Sequence, residues 1–197
     1  MPSTIPHLQL THGQVAWSVS LGQTPRQETI DRLRYLRQLG IPFTAKEQGQ
    51  GRGNTLIYAF DHLIECGVGL FGLRRGMRPA DVAEYIVPNR RDLRQAFRDA
   101  YLEQPDGALS APWVKKRGDS RALLKIDRFL RMHDRYREPT GAIETVTFDN
   151  AVPGAQLFDQ VERYPGEEAR LLLPITRMVL ELVAWAQEAP EVKRGRQ

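Results

Sequence analysis

The sequence predicts a mainly α-helical protein with one small β-hairpin, on three observations. Apolar residues recur every three or four positions in segments of helical length, punctuated by proline and glycine. Glycines alternating with polar residues in Gly49-Gln50-Gly51-Arg52-Gly53-Asn54 run into the β-favouring Thr55-Leu56-Ile57-Tyr58, the pattern of a hairpin tip followed by its second strand. A turn-rich stretch with Pro105, Asp106-Gly107 and Pro112 divides the 197 residues into a head over 1–103, a linker over 104–118 and a C-terminal α-rich region over 119–197.

Residues 1–11 read as a flexible arm or a first edge strand. Residues 13–22 read as a first helix with Val15, Ala16, Val19 and Leu21 inward and Trp17 in the core. A second helix spans 24–39: Thr24 suits the cap, Pro25 the first position and Gln27 the return arm of a capping box, while Gly40 and Pro42 end it. Ile30, Leu33, Leu36 and Leu39 form its apolar rows, and Arg26, Arg32, Arg34 and Arg37 project around the rest.

Residues 60–73 form the next expected helix, in which Gly67, Gly69 and Gly72 allow close approach of a neighbour. Residues 80–87 follow, with Val82, Ile86 and either Tyr85 or Ala83 inward. The helix at 90–103, capped by Asn89, carries a stripe of Leu93, Ala96, Phe97 and Tyr101. Within the basic segment 113–137, Leu123, Leu124, Ile126, Phe129 and Leu130 predict a helix from about Ser120. Residues 142–148 alternate as a strand or an extended linker, and 155–163 suit a short helix. The last helix is expected over 167–188, with Pro174 interrupting it or marking its first turn. Its apolar face (Leu172, Ile175, Val179, Leu182, Trp185) reads either as core or as a dimer seam, the seam being the preferred reading.

Composition narrows the chemistry. A hydrophobic fraction of 41% and a charged fraction of 26% are those of an ordinary globular chain, and a net charge of +4 permits nucleic acid as a partner. One cysteine, Cys66, excludes an internal disulfide framework and fits a reducing compartment as a small core residue. No apolar run reaches the roughly 20 residues of a membrane span, and the N-terminus lacks a secretory pattern, so a cytoplasmic location is expected. His7, His12, His62 and His133 are dispersed, without metal-ligand spacing. The glycine run has no Lys-Ser/Thr after it as a phosphate loop would, and Ser110 and Ser120 stand in no nucleophile motif. Neither catalysis nor a cofactor is expected.

Arg32-Leu33-Arg34-Tyr35-Leu36-Arg37-Gln38-Leu39-Gly40-Ile41 resembles the end of the recognition helix of the MerR-type winged helix-turn-helix family, with its Leu-Arg-Tyr-Tyr pattern running into Gly-Leu or Gly-Ile. Tyr58, Leu63, Arg75-Gly76 and the stretch 79–86 resemble its further helices, so the likeness covers about 13–87. Leu36 stands in place of the second tyrosine. Leu56 stands in place of the arginine usual in the second wing strand, which leaves Arg52 at the wing tip as the substitute phosphate contact.

The resemblance implies a winged helix-turn-helix head that binds double-stranded DNA in the nucleoid of a bacterium. A helix has the width of the major groove, and a glycine tip approaches phosphates closely. Arg26, Gln27 and Thr29, near the start of the second helix, are the expected base-edge residues, Arg34, Tyr35 and Arg52 suit phosphate contacts, and Ile30, Arg32, Lys46 and Asn54 complete the expected DNA-binding surface. Lys115, Lys116, Arg117 and Arg121 offer a second basic contact or only a solvated helix face. The expected function is a sequence-specific transcription regulator, a homodimer on a palindromic site. The alternatives are a plasmid or phage architectural, replication or partition protein on an extended site, and a protein–protein adaptor.

Overall fold

The structure, a computed structural model, describes residues 4–48, 56–103, 126–133, 143–149 and 169–191. These are mainly helical: α1 (His12–Val19), α2 (Gln27–Gln38), α3 (Ala45–Gln48), α4 (Phe60–Arg74), α5 (Pro79–Ile86), α6 (Arg90–Leu102), strands β1 (Ile126–His133), β2 (Ile143–Asp149) and β3 (Ala169–Pro174), then α7 (Ile175–Gln187). None of these helices is long and apolar enough to cross a membrane. The chain forms two compact units, one of Pro6–Val87 with Glu181–Gln197, the other of Met1–Ile5 with Pro88–Leu180. The division at Pro88 groups α6 with the sheet, where the sequence placed it in the head. The expected linker 104–118 and the short helix at 155–163 lie outside the described residues.

The first unit is built on α4. Its residues from Leu63 to Leu70 are all buried, so it is the central rod against which α1, α2 and α5 pack. Its glycines set the distances. A Cβ added at Gly69 would stand 2.8 Å from Leu36 Cδ1, and one at Gly72 3.0 Å from Val82 Cγ2, so α2 and α5 lie nearer than any larger residue would let them. α5 turns Val82, Tyr85 and Ile86 inward, Tyr85 rather than Ala83 filling the open position.

α1 opens with a reciprocal capping box, Thr11 with Gln14, which the Thr-x-x-Gln spacing encodes. α2 starts later than its sequence suggests. Arg26 is the N-cap, Thr24 lies outside, and Gln27 bonds Asp31 instead of returning to the cap. Between the helices, Leu21 (φ 54°) and Gly22 (φ 72°) are both left-handed. The Gly22 amide reaches Trp17 O at 3.2 Å and the Leu21 amide reaches Ser18 O at 3.0 Å, closing α1 with a Schellman motif. The expected hairpin tip, 49–54, and Thr55, the first residue of its expected second strand, lie outside the described residues. Of the rest of that strand, Leu56 and Ile57 form no strand pairing among the described residues, and Tyr58 pairs with the N-terminal segment in a bridge to Leu10, with N to O distances of 2.9 and 2.8 Å, while 45–48 before the tip is helix.

In the second unit α6 buries Leu93, Ala96, Phe97, Ala100 and Tyr101, with Arg91 and Arg98 exposed and Arg90 and Arg94 half-buried. The strands form an antiparallel sheet in the order β2-β1-β3, with Phe129 opposite Val146 and Leu130 opposite Leu173. Two helical expectations fail here. Residues 126–133 are the central strand, not part of a helix from Ser120. Ile126, Phe129 and Leu130 fit a three-four pattern, while Ile126, Leu130 and Met132 fall on one face of a strand interrupted by Arg128, and flanking strands on both sides decide for extension. Residues 169–174 are strand, so the helix expected over the whole of 167–188 fails, while the alternative that Pro174 marks its beginning holds. The α region is disfavoured for a residue preceding proline, so Leu173 stays extended and the helix begins only after Pro174.

The expected dimer seam changes accordingly. Leu172 belongs to β3, and Ile175, Val179 and Leu182 are at most 4% exposed within the single chain. Those three positions are core, the other reading of this face.

Candidate nucleic-acid interface

α2 is amphipathic in the manner a groove-reading helix requires. Leu33 and Leu36 are buried, and the closeness of Leu36 to Gly69 seats the helix on α4. Opposite them, Arg26, Gln27, Asp31, Arg34, Tyr35 and Gln38 are exposed, Tyr35 at 48%. Thr29, Ile30 and Arg32 are half-buried along the flanks, so the expected base-reading residues divide, with Arg26 and Gln27 fully outward and Thr29 at the edge. Lys46 is exposed on α3. Arg52 and Asn54, and the basic group Lys115, Lys116, Arg117 and Arg121, lie outside the described residues.

The exposed face carries acids that interleave its cations. Asp31 Oδ1 accepts from Gln27 Nε2 at 2.9 Å and from Arg34 Nη1 at 3.2 Å, while Arg32 pairs with Glu28. Glutamine and arginine on one helical row are thus pre-aligned on a carboxylate between them. Both partners of the Arg34–Asp31 pair are more than half exposed, at 58% and 57%, so the pair contributes at most about 1 kcal/mol and exchanges readily for another acceptor.

Beneath α2 lies a cluster that no motif in the sequence announces, because its members are remote in the chain. The Tyr58 hydroxyl is 3.1 Å from His12 Nδ1 and also bonds the Arg37 side chain. Burial, with a smaller contribution from Cys66, pushes the Tyr58 hydroxyl up to about 12 against the pull of Arg37, so it stays neutral. Burial first, then Arg37 and Arg34, lower the His12 pKa below its ordinary 6.5. His12 Nε2 is buried without a hydrogen-bond partner, the only such side-chain atom among the described residues. Cys66 is buried; desolvation, reinforced by Glu65, pushes its thiol up, so it is an inert core residue.

A second cluster joins the two ends of the segment that contains the glycine run. Thr44 and Glu47 close a capping box, with the Thr44 amide donating to Glu47 Oε2 at 2.6 Å. Across from it the Ala59 amide donates to His62 Nδ1 at 3.1 Å, which leaves the ring proton on Nε2, 3.4 Å from Glu47 Oε1. The Phe43 ring packs at a tilt against His62 and edge-on against Tyr58, with centroids 4.6 and 4.8 Å away. Burial works to raise the Glu47 pKa, but the Thr44 amide and hydroxyl and His62 hold it below its ordinary value.

Trp185, expected at the dimer seam, lies elsewhere. Its ring meets Trp17 edge-on, with centroids 5.5 Å apart at 78°, and covers Gly22 in the α1–α2 turn. No group of three or more His, Cys, Asp or Glu side chains among the described residues is placed to hold a metal ion. Compared with protein-family models, curated proteins and solved structures, the chain matches none.

Proposed function

We propose that this chain is a sequence-specific double-stranded DNA-binding transcription regulator whose reading element is α2 in a winged helix-turn-helix head of MerR type. The observation that carries the reading is the outward row of Arg26, Gln27, Arg34 and Tyr35 on a helix whose opposite face is seated on α4. In this reading Gln27 and Arg26 meet base edges in the major groove and Arg34, Tyr35 and Lys46 meet phosphates. The glycine run with Arg52 and Asn54 grips the adjacent backbone. Asp31 holds Gln27 and Arg34 until the duplex replaces it. Two copies bind a palindromic site through a surface other than the buried face of α7.

Selecting bound fragments from a random duplex pool with the full chain tests the reading and yields the site. Arg34→Ala with Arg52→Ala then lowers affinity for selected and random duplexes alike, by about tenfold or more, and flattens the salt dependence. Gln27→Ala relaxes preference at one base position, by about 1–3 kcal/mol. Unchanged binding in the double variant refutes this head as the reader. A footprint spread over an array of sites favours the architectural or partition reading instead.

A further inference from the structure

The turn between α1 and α2 determines the direction in which α2 leaves α1, and its conformation is not one the local sequence favours. Leu21 occupies the left-handed position that closes α1, where a side chain clashes with its own carbonyl and glycine is the usual occupant. The equivalent positions after α2 and α4 are glycines, Gly40 and Gly76. A backbone placed this way persists only where surrounding structure over-determines it.

That structure comes from the far end of the chain. The six-membered ring of Trp185 lies directly on Gly22: a Cβ built there would stand 2.3 Å from Cζ3, 2.5 Å from Cε3 and 2.9 Å from Cη2. The same ring abuts Trp17, whose carbonyl accepts the Gly22 amide that closes the turn. Val183, Ala184 and Ala186 around Trp185 are buried, which fixes the helix backbone that carries the half-buried ring. Arg74 Nη2 donates to the Val19 carbonyl at 3.4 Å, tying the last turn of α1 to α4 from another direction.

We propose that Trp185 is a positioning residue for duplex recognition: it clamps the Leu21-Gly22 turn and thereby fixes the angle at which α2 is presented. The head is completed by a helix encoded at the opposite end of the sequence. Trp185 touches no base or phosphate. It removes the alternative turn conformations that would let α2 rotate on α4, and so it confers sequence discrimination, not overall attraction. This rests on the DNA-binding reading above, since discrimination has meaning only for a chain that reads a duplex.

The test compares wild type, Trp185→Ala and Trp185→Phe as full chains. Two quantities are read: affinity for the selected duplex against a random duplex, and amide hydrogen exchange over residues 20–30 against that of α4. The expected result for Trp185→Ala is an affinity loss of about tenfold on the selected duplex with random-duplex affinity within about twofold, and exchange at least about tenfold faster over 20–30 with α4 unchanged. Trp185→Phe, which keeps a ring on Gly22, restores most of both. Equal losses on the two duplexes, or exchange accelerated throughout α4, overturn the clamp in favour of general destabilisation. Unchanged exchange over 20–30 overturns it outright. If wild type binds no duplex at low salt, the DNA reading fails and with it the proposed role in recognition, while the exchange data still decide whether Trp185 holds the turn.

Discussion

α1 and α2 end in the same hydrogen bonds and in opposite surroundings. Each closes with a Schellman motif: Gly22 to Trp17 and Leu21 to Ser18 after α1, Ile41 to Leu36 and Gly40 to Arg37 after α2. After α2 the left-handed residue is Gly40, and the nearest atom to a Cβ placed there is the Phe43 carbonyl at 3.9 Å, ordinary contact distance. After α1 the left-handed residue is Leu21 and the next, Gly22, lies under an indole. One turn is specified by its own residues. The other is imposed by packing from a distant segment, and it is the turn that aims the proposed reading helix.

The largest effect that separates the two turns is expected from Gly22→Ala. It adds both left-handed strain and an overlap with the Trp185 ring, a combined cost of about 3 kcal/mol in the urea unfolding free energy. A loss no greater than at Gly40 would mean the ring moves aside freely and the contrast is false. Gly40→Ala, whose new methyl group makes only an ordinary contact with the Phe43 carbonyl, carries the conformational term alone, about 1 kcal/mol on the same measurement.

The smallest effect concerns the opposite end of α1, where His12 rests on Tyr58. Its pKa is lower folded than unfolded, so the unfolded chain binds the extra proton. The stabilising contribution is complete above about pH 6.5 and is lost as pH falls through the folded value. Thermal midpoints should therefore fall between about pH 7 and pH 5, above the range in which Glu47 titrates, and His12→Gln should flatten that slope. A slope unchanged by the substitution would move its origin to another group.

Much of the helical framework was legible in the residues. Leu33 and Leu36 face inward on α2, the Phe60–Arg74 helix is buried with its glycines at close approaches, and the Leu93, Ala96, Phe97 and Tyr101 stripe is the buried face of α6. The readings that failed lie where a local pattern was compatible with two answers. The β1 residues satisfy helical and strand periods together, and neighbouring strands chose. The leucines before Pro174 resemble a helix until the restriction on a residue preceding proline is applied. Gln27 was assigned to a cap, but an aspartate one turn on attracts its amide instead.

The candidate surface divides the same way. That arginines and Gln27 project from α2 follows from a 3.6-residue period and needs no partner to establish it. The cluster of His12, Arg37 and Tyr58, the His62–Glu47 link and the indole on Gly22 join positions remote in sequence, and no spacing rule reaches across such separations. The sequence by itself determined which face of each helix is apolar and where most helices stop, because periodicity and backbone restriction act over a few residues. Only the tertiary structure decided which residues became sheet, that the α7 face is consumed within the chain, and that Trp185 sits on the α1–α2 turn. Burial and strand pairing reward contacts between segments whose chain separation leaves no trace in either.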